Sequence, residues 1–285
     1  MIELLGNNQQ SPDLPEYFGS DTKELHEMNC IKLGTRWKYR NKKVIYNLNK
    51  HKFRAPEFDD VQWDRSIAVF GCSNIFGTGQ LEEETIPTMI SQYTDRPVIN
   101  MGVGGLGCDG VAHNVAMLKK MYDPFLCFVV WPERARFVYK GGAPASDTLK
   151  DYRYMTSWEA TNKTWDHELK RIGIEPRAYI TSNELIEQVS ERYKMITELL
   201  PDVYTIGDKH NGFGDEFYSH PDLACDTQDW NVLLDNIGVA NLFLSRDLGW
   251  NKQRKSWYGH LGSEQNLILT RKFMNSLPKE VRALM

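Results

Sequence analysis

Residues 66 to 79 read S-I-A-V-F-G-C-S-N-I-F-G-T-G, and this stretch decides the fold. Ile67-Ala68-Val69-Phe70 is short, apolar and followed at once by Gly71. That pattern predicts a central parallel strand buried on both faces. The glycine-rich turn after it would present Ser73 at the carboxyl edge of a sheet, where open α/β folds bind their ligands. Read from the pattern alone, Ser73 is either a nucleophile or a serine that merely caps the turn. A thiol is the better intrinsic nucleophile, but neighbouring side chains do not normally enter one site, so Cys72 is expected to be buried beneath the turn.

Working outward, Glu82 to Tyr93 predicts a helix whose start lies near Ile86, because Pro87 is tolerated only in a first turn. Pro97 to Met101 reads as a second buried strand ending in a glycine cluster. Asp109 to Tyr122 reads as a helix with Val111, Val115, Leu118 and Tyr122 on one face and Asp109 as its cap. Phe125 to Trp131 is a third strand, stopped by Pro132. This alternation predicts an α/β unit with right-handed crossovers.

The later half is less regular. Residues 140 to 152 look loop-like, and Asp147 to Lys170 has helical composition. Thr181 to Glu184 offers a capping box, after which Leu185, Val189, Ile196 and Leu199 should share a face up to Pro201. Val203 to Ile206 is a short strand candidate, Gly212 to Asp229 reads as exposed, and Asp229 to Phe243 resumes a helical pattern. A last helix, Glu264 to Leu277, would dock through Leu267, Ile268, Arg271 and Met274.

Residues 1–60 are polar and irregular and read as an arm or small extension packed on a main domain of residues 61–285. The basic run Arg36 to Lys43 reads as a solvated arm or as an edge hairpin with Val44-Ile45-Tyr46.

Composition narrows the function classes. Of 285 residues, 41% are hydrophobic and 25% charged, the balance of a folded, soluble protein. The formal charge of -4 argues against a general nucleic-acid binder, and the aromatic residues do not alternate with Lys and Arg as in a single-strand groove. No apolar run is long enough to cross a bilayer, and the first residues lack the order of a signal peptide. Five scattered cysteines without C-x-x-C spacing fit a reducing, cytoplasmic setting.

Gly102-Val103-Gly104-Gly105-Leu106-Gly107 has dinucleotide-like spacing, but the acidic residue roughly twenty positions on, Asp123, follows the helix and does not end the next strand. A nucleotide-dependent transferase is therefore a minor alternative. Among seven histidines, His260 is the best base, since it sits in a loop before the last helix. His210 and His220, with Asp208 or Asp222, lack compact zinc spacing, so no metal or other cofactor is expected.

These blocks resemble the SGNH, or GDSL-like, hydrolase family. Gly71 to Gly79 looks like its first block with Cys72 in place of the usual aspartate. Asn100 to Gly105 looks like the second block, and His260-Leu261-Gly262 like the end of the last. The G-C-S form followed by F-G-x-G is also similar to hydrolase-like proteins of phages, which implies the host cytoplasm or the virion as its location.

The resemblance implies a three-layer α/β/α, flavodoxin-like fold with a mostly parallel central sheet. It implies hydrolysis of a small ester or acylated glycan by Ser73, with His260 as base and Asp247 orienting it, and an oxyanion hole from the N-H groups of Ser73 and Gly105. Asn74, Arg134 and Arg136 would contact substrate.

Two positions depart from the family pattern. Trp131-Pro132 stands where a third block would carry asparagine, and Trp257 stands three residues before His260 where aspartate is usual. These departures keep open a catalytically silent structural or carbohydrate-binding protein on the same scaffold.

Overall fold

The computed structural model describes residues 4–7, 23, 26–27, 30–31, 34–36, 40–132, 136–140, 152–156, 183–206, 250–251, 256–257 and 263–285. Within them, β1 (Ile67–Gly71), β2 (Val98–Gly102), β3 (Leu126–Val130) and β6 (Val203–Ile206) form one sheet in the order β2-β1-β3-β6. Every pairing in it is parallel: Ile67 stands opposite both Val98 and Leu126, and Cys127 opposite Val203. Parallel pairing puts all the strand-ending turns on one edge.

Helices cover both faces, which is why β1 and β3 are buried at every position. On one face Ala68, Phe70, Ile99, Met101, Cys127 and Val129 meet Val111, Val115 and Leu118 of α3 (Cys108–Met121). On the other, Ile67, Val69, Phe128 and Val130 meet α2 (Ile86–Ser91) and α5 (Ser263–Ser276), with Val281 of α6 (Lys279–Leu284) beside them. Residues of the N-terminal sixty enter the first layer: Leu4, Leu5, Phe53 and Phe58 are all buried there.

Several local expectations hold. The helix after the first turn starts at Ile86, with Thr85 as its cap and Pro87 in its first turn. The helix after the second turn is capped by Gly107, however, and Asp109 lies inside its first turn, where its carboxylate accepts from Gly110 N-H at 2.8 Å. Val44 and Tyr46 are buried as single residues, and Ile45 forms only a lone bridge, so no hairpin is present in residues 40–50.

Three expectations fail for physical reasons. Tyr152–Thr156 (β5) is a strand, not helix. It pairs antiparallel with β4 (Arg136–Lys140), setting Phe137 against Met155 and Tyr139 against Arg153. Aromatic and β-branched residues at these positions favour the pleated surface over a helix.

The stripe of α4 (Asn183–Glu198) faces outward: Val189, Ile196 and the following Leu199 are exposed, Leu199 by 84%. Lys194 and Thr197 occupy the buried side instead. Periodicity identifies which residues share a face but not which way that face turns. In α5 the buried face is Asn266, Leu269, Thr270, Phe273 and Met274, continued by Leu277 just past its end, while Arg271 is exposed. Two polar residues sit in this buried face, so a reading by hydrophobicity alone rotates it. The segments 212–229 and 229–243 lie outside the described residues.

Gly102 marks a close approach of β2 to the helix that follows β1. A Cβ there would overlap the backbone nitrogen of Phe76 and lie 2.7 Å from Ile75 C. Gly102→Ala should destabilise by about 3 kcal/mol or more, whereas Gly104→Ala, which meets only Asn7 Oδ1 at 3.5 Å, should cost far less; urea unfolding of both variants checks this.

Burial pushes the Cys127 thiol up to about 12 from an ordinary 9.0. Above pH 9 the unfolded chain gains a thiolate that the folded chain refuses, so this contribution to stability is whole below pH 9 and lost as pH rises toward 12. Unfolding free energies from urea titration should therefore fall between pH 8 and pH 10 by about 1 kcal/mol more in the native protein than in Cys127→Val.

Candidate functional site

Ser73 opens α1 (Ser73–Phe76), one residue after β1, with Cys72 as the N-cap residue and Gly77 closing the helix at φ 79°. As the first helical residue, Ser73 has no intrahelical acceptor for its N-H. Cys72 is buried and Ser73 half-buried, the expected division between packing thiol and presented hydroxyl. Among the described residues Ser73 Oγ makes one hydrogen-bond contact, with Cys72 Sγ at 4.0 Å. Next to it, Asn74 is 7% exposed and its Oδ1 has no hydrogen-bond partner among the described residues.

The loop behind Ser73 is held by residues that carry no sequence motif. Arg54, 2% exposed, donates from Nη1 to Gly77 O at 3.0 Å and from Nη2 to Gln80 O at 3.1 Å and Ile45 O at 3.2 Å. Its Nε lies 2.6 Å from Glu82 Oε2, a charge pair by distance that is not aligned as a hydrogen bond. The guanidinium also stacks over the Tyr46 ring at 4.8 Å. Tyr46 in turn stacks on Phe76 and accepts Gly79 N-H at 2.7 Å. Asn266 of α5 donates to Gln80 Oε1 and to Glu84 O, both at 2.8 Å.

The second glycine turn lies beside the first, because Gly71 and Gly102 are partners in the sheet and Val103 N-H donates to Gly71 O at 3.0 Å. Asn100 fixes its entry, accepting Gly102 N-H at 2.9 Å and reaching Phe76 O at 3.4 Å. Gly105 is half-buried at φ 77°, a conformation that a side chain would strain. Among the described residues its N-H has no acceptor, whereas Gly104 N-H is taken by Asn7 Oδ1 at 2.7 Å. At the end of β3, Trp131 is fully buried and its Nε1-H has no partner.

Ser73, Asn74 and Gly105 therefore sit on the carboxyl edges of neighbouring strands, with unsatisfied polar groups around them. His260, Asp247 and Arg134 lie outside the described residues, as do His210, His220, Asp208 and Asp222; Arg136 is described only through its backbone, as the first residue of β4. Among the described residues there is no group of three or more His, Cys, Asp or Glu placed to hold a metal, and no helix long and apolar enough to cross a membrane.

Sequence reading missed Asn7, Tyr46, Arg54 and Asn266, since single polar residues in irregular segments or helix faces carry no periodic signal. Comparison of the sequence with protein-family models and with characterised proteins finds no match in either.

Replacing the buried guanidinium leaves the carbonyls of Ile45, Gly77 and Gln80 without their donors. Arg54→Met should destabilise by about 3–5 kcal/mol, against less than about 1 kcal/mol for Glu82→Gln at the exposed end of the pair, as read by denaturant titration.

Proposed function

We propose that this chain is an ester hydrolase of the SGNH type, acting on a small ester or an acylated glycan with Ser73 as nucleophile. The observation that carries the reading is the Ser73 hydroxyl itself. It is half-buried at a strand-to-helix turn, and among the described residues it is held by no strong hydrogen bond and is flanked by a second turn whose Gly105 N-H has no acceptor. The order of the parallel strands, second-first-third-fourth along the chain, agrees with a flavodoxin-like sheet, in which ligands bind at the carboxyl edge.

In this reading His260 takes the proton from Ser73 Oγ as it attacks the ester carbonyl, and Asp247 steadies the imidazolium that forms. The N-H groups of Ser73 and Gly105 receive the oxyanion, each such donor being worth on the order of 3 kcal/mol. His260 then protonates the departing alcohol, and water releases the acyl group by the same steps in reverse. Asn74 Oδ1, buried without a partner, accepts a hydrogen bond from substrate. Arg134 and Arg136 draw an acidic substrate toward the edge.

A silent binding protein is the second reading. Trp131 favours it, because it stands where the family carries an asparagine donor and is buried in the core. The two readings part on one measurement. With p-nitrophenyl acetate, Ser73→Ala should lower kcat by about 10³-fold or more, while Cys72→Ala stays within about five-fold of the native enzyme. Equal turnover in the native protein and Ser73→Ala would remove the hydrolase reading and leave the binding protein.

A further inference from the structure

We propose that Asn7 is a positioning residue for the oxyanion hole, an inference that rests on the hydrolase reading above: its carboxamide sets the second glycine turn so that the Gly105 N-H, and not that of Gly104, is left to donate.

The turn runs from Val103 to Leu106 and is closed by Leu106 N-H donating to Val103 O at 3.2 Å. Its two central residues are both glycine, and the second has φ 77°, as in a type II turn. Two consecutive glycines have little preference for one turn over its alternatives, which differ in the side to which the turn, and with it each central N-H, is presented. Something outside the turn must choose.

Asn7 supplies that choice from a distant part of the chain. It is 4% exposed, and both ends of its carboxamide are used. Oδ1 accepts Gly104 N-H at 2.7 Å, while Nδ2 donates to Gly102 O at 3.2 Å and to Lys52 O at 2.9 Å. The peptides on both sides of Val103 are thereby fixed. Only a primary amide offers an acceptor and two donors in one plane, so neither leucine nor serine could replace it.

A separate amide pair anchors the same segment elsewhere. Asn114 Oδ1 on α3 accepts Leu5 N-H at 2.7 Å, and Asn114 Nδ2 donates to Leu5 O at 2.9 Å. Asn114 therefore holds the segment without touching the glycine turn, which makes it the control.

The experiment measures p-nitrophenyl acetate kinetics and thermal midpoints for the native protein, Ser73→Ala, Asn7→Leu, Asn7→Ala and Asn114→Ala. Asn7→Leu should lower kcat on the order of 10–100-fold with KM within about two-fold, because the oxyanion forms only after substrate has bound. Asn7→Ala, a smaller truncation that loses the same hydrogen bonds, should show a loss of kcat of the same order, which keeps the test decisive if the leucine variant does not fold. Asn114→Ala should lower the midpoint at least as much as Asn7→Leu while leaving kcat within about two-fold.

Unchanged kcat in a folded Asn7→Leu or Asn7→Ala, or equal losses of kcat in the Asn7 and Asn114 variants, would each overturn the inference while leaving the hydrolase reading intact. A native protein no faster than Ser73→Ala overturns the hydrolase reading, and this inference with it.

Discussion

The arrangement around Ser73 depends on one buried positive charge. Arg54 reaches the site from an irregular segment and places its guanidinium among the carbonyls of Ile45, Gly77 and Gln80, with Glu82 at the solvent end. Taking a guanidinium out of water costs several kcal/mol, and the loss is offset here by the carbonyls that its two terminal nitrogens reach and by the charge of Glu82 beside Nε. The loop from Gly77 to Glu82 therefore has one conformation that satisfies the charge. A planar fork with five donors can impose that geometry where a lysine could not. Tyr46, stacked between Arg54 and Phe76, carries the same restraint into the helix that Ser73 begins.

The sheet supplies the second restraint. With β2, β1 and β3 parallel and adjacent, the turns after them emerge side by side on one edge. The absence of a side chain at Gly102 lets the second turn sit directly against Ile75 and Phe76. Packing thus sets the distance between the two glycine turns, and hydrogen bonds from Asn100 and Asn7 set their orientation. Polar residues govern this edge because peptide groups in turns must find partners that strands and helices cannot give them.

Much of this scaffold was legible in the residues. Ile67 to Gly71 and Leu126 to Val130 announce themselves because a strand buried on both faces has no polar position to interrupt it. The helix at Cys108 to Met121 is as clear, since a two-sided fold needs an amphipathic cover. The direction of the apolar stripe on Asn183 to Glu198 was not legible, because it depends on which neighbour the helix meets. Nor were Asn7 and Arg54 as parts of the site: their partners are backbone atoms, which every residue type possesses, so no pairing of side chains in the sequence points to them. The turn bearing Ser73 stood out in advance, whereas the groups that hold the turn did not.

The contact between Asn266 and Gln80 ties residues nearly two hundred positions apart, and Thr94 Oγ1 and Arg96 Nε likewise donate to the carbonyls of Met285 and Leu284. Contacts of such long range close late in folding, because the chain between them must first lose its freedom. During synthesis, β1 and the Ser73 turn leave the ribosome long before the helix that braces them. A nascent chain would carry that turn without the Asn266 brace on Gln80 and Glu84 until the last helix docks.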